Sequence, residues 1–156
     1  MAITFKIIGD KELALYLGRI SSKIKPQAIK GLNEIGDHLE KEIKNKFGTY
    51  QVSWPKLKRA SVIAKYKRRS LGGGAKGTAS VGGDDPLVLF GRLQNSIQND
   101  VKAGNLEVEV FSDNVYAAVH EYGYKNIPPR SYMRLTLWQE TDNVVDIMSK
   151  HIGRVI

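Results

Sequence analysis

The chain has 156 residues, 42% hydrophobic and 26% charged, a composition that fits one globular domain, 1–156, with its own core. It contains no cysteine, which excludes disulfides, thiol nucleophiles and thiolate metal sites. Its net charge of +8 is concentrated, because residues 44–83 hold ten basic and no acidic side chains while both flanks are nearly neutral.

The opening MAITFKIIGD has no basic stretch ahead of a long apolar core, so no signal peptide is expected. No apolar run approaches the ~20 residues that span a bilayer, so no membrane partner is expected. Ile3–Ile8 reads as a short strand. Asp10 can cap a helix whose apolar positions are Leu13, Tyr16, Leu17, Ile20 and Ile24. Pro26 either starts a second helix or kinks one long one, and the pattern leaves both open. Ala28, Ile29, Leu32, Ile35, Leu39, Ile43 and Phe47 then form a helical stripe that Gly48 can stop.

From 49 to 85 the character changes. Tyr50, Trp54 and Leu57 are isolated anchors, followed by a basic run with one or two helical turns expected between Arg59 and Lys67. The glycine-rich 70–85 reads as a flexible loop closed by Asp84-Asp85. Beyond it Leu89, Leu93 and Ile97 stand four apart, as on a short helical face. Strands are expected at Gln98–Ala103 and Leu106–Ser112, turning at Gly104-Asn105, the second alternating Leu106, Val108 and Val110 with Glu107 and Glu109. Asp113 or Asn114 can cap a helix over Val115–Tyr122 that Gly123 ends. A stiff Ile127-Pro128-Pro129-Arg130 elbow leads to a final helix over Ser131–Ile152, with Leu137, Trp138, Thr141, Val144, Val145, Met148 and Ile152 on one face. The fold class is therefore α+β, with long N-terminal helices and a C-terminal helix on a small antiparallel sheet.

Chemical signals are few. The order Lys76-Gly77-Thr78 is not the Gly-Lys-Ser/Thr of a phosphate loop. His38, His120 and His151 are isolated, and His120-Glu121 lacks a second histidine four residues on. No carboxylate pair suggests a general acid and base, so neither an enzyme nor a cofactor is expected. The one charge feature is the set Lys56, Lys58, Arg59, Lys65, Lys67, Arg68, Arg69 and Lys76. Such clustering fits an arm that orders against another protein, direct contact with DNA phosphate, or a solvated segment with no role. Trp54, Tyr124, Pro128, Pro129, Arg130 and Tyr132 are candidates for an assembly interface, with core or elbow packing as the plainer role of the aromatic ones.

Four segments in order carry a resemblance: Trp54-Pro55-Lys56-Leu57, Phe90-Gly91-Arg92-Leu93-Gln94-Asn95-Ser96-Ile97, Tyr116-Ala117-Ala118-Val119-His120-Glu121-Tyr122-Gly123 and Ile127-Pro128-Pro129-Arg130-Ser131-Tyr132-Met133. Together they resemble the virion-morphogenesis, or tail-completion, proteins of tailed bacteriophages. Phe90 stands where that family usually has Thr, and Ser131 where it usually has Pro. The resemblance covers roughly residues 50–135 and implies a structural neck or upper-tail protein for head–tail joining. It further implies self-association into a ring, commonly six-fold, around the DNA channel, with other neck and tail proteins as partners. The location implied is the virion, and the host cytoplasm during assembly. The alternative from the residues alone is a free nucleic-acid-binding protein using the basic 56–76 segment.

Overall fold

The computed structural model describes residues 10–70 and 83–153. The expected strand at Ile3–Ile8, and Lys76 with most of the glycine-rich loop, lie outside these. The described elements are α1 (Asp10–Asn45), α2 (Arg59–Arg68), α3 (Arg92–Asn95), β1 (Ile97–Lys102), β2 (Glu107–Ser112), α4 (Tyr116–Tyr122), α5 (Met133–Gln139) and α6 (Thr141–Gly153). The fold is α+β, as the alternation of helical and two-residue periods predicts. None of these helices is long and apolar enough to cross a membrane.

The long stripe organises the rest. Helix α1 runs unbroken through Pro26, which decides between the two readings of that proline. Its residues Ala28, Leu32, Ile35, Leu39 and Ile43, and Phe47 just beyond, are all buried, the one-sided burial that a 3.6-residue period dictates. Two clusters form along this stripe. One gathers Ile43, Phe47, Trp54, Val88, Leu93, Ile97, Ala117 and Tyr132, and the other Ile35, Leu39 and Ile147 with Val108, Val110, Val144 and Met148 beside them.

Among the described residues the sheet is the two-stranded β1–β2 hairpin, antiparallel, with Ile97 opposite Ser112 and Val101 opposite Val108. Two strands are marginal by themselves, and this pair is stabilised by lying on α1. Gly36 permits the approach, since a Cβ there would stand 2.6 Å from the Asn99 side chain. Asn99, on the inner face, donates to the Glu40 carboxylate at 2.7 Å. The turn is four residues, 103–106, rather than centred on Gly104-Asn105 alone, and Leu106 takes the left-handed conformation (φ 55°).

Two expected helical readings are corrected. Leu89, Leu93 and Ile97 do not share a helix: α3 is a single turn, and Ile97 already opens β1, fully buried. The expected single helix over Ser131–Ile152 is two, α5 and α6, meeting at Glu140 (φ −97°, ψ 7°). Glu140 is drawn aside by His38 of α1 at 2.8 Å and accepts from Asn143 at 2.6 Å, while its carbonyl still receives Val144 N–H. The bend lets α6 lie along α1 through Val144, Ile147 and Met148, closed by a His151–Glu34 pair at 2.7 Å. Leu137, Trp138 and Val145, expected on the packed face, are exposed instead.

Candidate functional site

Three of the six residues expected at an assembly interface turn inward and form a knot that joins three of the four motif segments. Glu121 ends helix α4, and its carboxylate, only 4% exposed, points across the elbow at the start of α5. There it accepts the backbone N–H groups of Tyr132 (2.8 Å), Met133 (3.0 Å) and Arg134 (3.1 Å), the Ser131 hydroxyl, and Arg134 Nε (3.1 Å). These amides are the open donors that any helix N-terminus leaves, and a carboxylate is the natural acceptor for them. Burial alone would push the Glu121 carboxyl up, but the donors outweigh it and hold its pKa below the ordinary value.

The other motif residues lock around this contact. Arg130, 5% exposed, donates from its side chain to the Pro55 carbonyl (2.8 Å) and from its backbone to the His120 carbonyl (2.7 Å). Trp54 donates from Nε1 to the Ser131 carbonyl at 3.1 Å. Tyr132 is fully buried and meets Phe47 edge-on, with ring centroids 5.1 Å apart. Trp54, Arg130 and Tyr132 are thus core residues, placed there because each carries an apolar body with a polar end that finds a backbone partner. Of the interface candidates, Tyr124 and Pro129 lie on the surface and Pro128 is half-buried. Gly123 (φ 80°) leaves α4 where a Cβ would stand 3.0 Å from Pro129, so the tight entry to the elbow requires glycine.

The basic segment divides in two. Lys65 and Arg69, four residues apart, reach down onto the loop before α3. Lys65 Nζ donates to the Val88 carbonyl (2.8 Å), and Arg69 to the Asp85 carboxylate (2.6 Å) and the Val88 carbonyl (2.8 Å). Asp85 is 1% exposed, so it is a folded-in counter-ion and not the solvated end of a glycine loop. Burial lowers the Lys65 pKa despite Asp85 nearby. These two cations are therefore committed within the chain, whereas Lys56, Lys58, Arg59, Lys67 and Arg68 are exposed. Helix α2 buries no residue of its own, and the ionic latch is what docks it.

Between α2, the 87–93 segment and α4 lies an apolar groove of about 670 Å³. Leu89, Phe90, Val115 and Tyr116 form its walls, with Arg68 and Arg92 at the rim and His120 within. Burial and the facing Arg130 charge lower the His120 pKa, and its Nδ1 has no hydrogen-bond partner. No group of three or more metal-ligating side chains converges among the described residues. His38 and His151 instead serve as clamps between α1 and the C-terminal helices.

Sequence reasoning missed Glu121 and Asp85 as organising acids. Their signals were a lone acid immediately before an elbow that opens a helix, and the first carboxylates after a long acid-free run. No family model and no solved structure matches the chain. It is similar to an uncharacterized protein of Methanocaldococcus jannaschii, 36% identical over 73 residues, a match covering 44% of this chain and 54% of that protein. The chain thus aligns with about half the length of the relative it matches.

Proposed function

We propose that this protein is a structural component of the neck or upper tail of a tailed phage, acting in tail completion or head–tail joining and assembling with copies of itself and with other neck and tail proteins. The observation that carries this reading is the knot itself. Three of the four segments that make up the resemblance bond to one another, through Glu121, Arg130, Trp54 and Ser131, while the fourth, Phe90–Ile97, packs into the same apolar cluster through Leu93 and Ile97. Motif positions spent on internal bracing are what a scaffold module needs. Outside the knot, Tyr116, Tyr122, Tyr124, Leu137 and Trp138 are large apolar residues left exposed, as suits a chain that finishes its burial in an assembly.

The test is immunogold electron microscopy of tailed particles from the source strain, using antibody to this chain. Label at the head–tail junction is the expected result. Particles with accessible necks and no label, while the protein is abundant in the cell, would overturn the reading.

A second reading rests on the exposed cations Lys56, Lys58, Arg59, Lys67 and Arg68, which a polyanion can still reach. A free nucleic-acid-binding chain would show log affinity falling with log salt by roughly 0.9 per duplex phosphate engaged. Binding without that salt dependence removes this alternative.

A further inference from the structure

We propose that the exposed α5–α6 ridge of one copy seats in the α2–α4 groove of the next, a head-to-tail contact between identical chains. The inference rests on the assembly reading above and names the surfaces that would carry it. On the ridge, Trp138 is 77%, Leu137 55% and Val145 57% exposed. Single exposed apolar residues are common, but three large ones on two adjoining helices, a tryptophan among them, suit a contact surface. The Thr141 hydroxyl donates to the Leu137 and Trp138 carbonyls, so the start of α6 is tied to the end of α5 at the bend. Leu137 and Trp138 close α5, and Val145 stands one turn into α6, all three exposed.

The groove offers the complement. Its walls include Phe90 and the outward Val115 and Tyr116, 79% and 63% exposed, and its volume of about 670 Å³ admits large side chains. Charge completes the match. The groove rim carries the exposed Arg68 and Arg92, while Asp142 and Asp146, one turn apart on the exposed side of α6, flank Val145 on the ridge. Both halves lie on one chain but at separate places, so unless two copies pair reciprocally each pair leaves one groove and one ridge free. Such a contact adds subunits until the rotation closes.

The absence of cysteine makes the test direct. Val115→Cys and Val145→Cys proteins, mixed at millimolar concentration and oxidised, should cross-link with each other, while neither should cross-link with itself. A chain carrying both substitutions should give a ladder of oligomers. Self-cross-linking of either single variant, or no cross-link in the mixture, overturns the contact. In sedimentation, Trp138→Ala should weaken self-association by at least about thirtyfold, the effect of losing an interface anchor. Arg68→Glu with Arg92→Glu should abolish association, and adding Asp142→Arg with Asp146→Arg to the same chain should restore it. Failure of that rescue, with circular dichroism unchanged, also counts against the contact. Cross-links without virion label would sink the phage reading and leave the contact standing; label without cross-links would do the reverse.

Discussion

The elbow and the α2 arm are both fastened by charged side chains reaching backbone groups, yet they differ in what surrounds the charge. At the elbow, Glu121 is enclosed with Trp54, Arg130 and Tyr132, each no more than 6% exposed. Opening that contact means opening the main apolar cluster. At the arm, Lys65 and Arg69 hold α2, which contributes no buried residue, onto the buried Asp85 and the Val88 carbonyl. Releasing the latch uncovers those acceptors but removes no side chain of α2 from the core. A hydrogen-bonded charge inside a core thus belongs to the global unfolding transition, while the same chemistry at a bare helix makes a separable unit.

The largest expected effect is at the elbow. Glu121→Ala strands three amides and the Ser131 hydroxyl, and should cost about 3–5 kcal/mol, lowering the Tm by roughly 10 °C. A melting curve within about 2 °C of the native one would break the distinction between the two regions. Acidity should report the same residue. Its folded pKa lies below the ordinary value of 4.5, so the stabilisation is fully present above that pH and is lost as pH falls through the folded pKa. Stability curves of Glu121→Gln should therefore be flatter than native on the acid limb below about pH 4.5; an unchanged slope would remove Glu121 as its source.

The latch should behave in the opposite way. Asp85→Asn is expected to move the global midpoint by less than about 1 kcal/mol while sharply reducing hydrogen-exchange protection across α2. A global loss as large as that of Glu121→Ala would show that the arm is part of the core after all. The smallest effect belongs to the hairpin turn. Leu106 holds a left-handed conformation that a branched side chain disfavours, and Leu106→Asn should stabilise by about 0.5–1 kcal/mol in denaturant melts. No gain would mean that the packing of the Leu106 side chain offsets the strain.

Much of the architecture could be read along the chain. The stripe from Ala28 to Phe47, the hairpin, a short helix after Arg59 and the Gly123 stop were all expected from spacing and turn chemistry. The cap position of α4 is Val115, one residue after the expected Asn114, whose side chain still accepts Tyr116 N–H at 2.9 Å. The candidate site was less legible. Trp54, Arg130 and Tyr132 were expected at an interface because aromatic and guanidinium groups anchor interfaces, but the same amphipathic groups serve equally to plug a core against a backbone carbonyl. Lys65 and Arg69 were grouped with their basic neighbours because a charge run conceals which members have a partner far along the chain.

What the sequence determined by itself is local: the period that makes α1 one-sided, the alternation that makes β1 and β2, and the positions where glycine, proline and asparagine end or turn the chain. Each follows from backbone sterics and from burial over a few neighbouring residues. Only the tertiary structure decided the long-range pairings. His38 meets Glu140 where the C-terminal segment bends, Asp85 withdraws cations from the surface, and Glu121 joins α4 to the elbow. Those contacts join residues far apart in the chain, and the choice among many chemically equivalent partners rests on which of them the packed core brings within hydrogen-bonding distance.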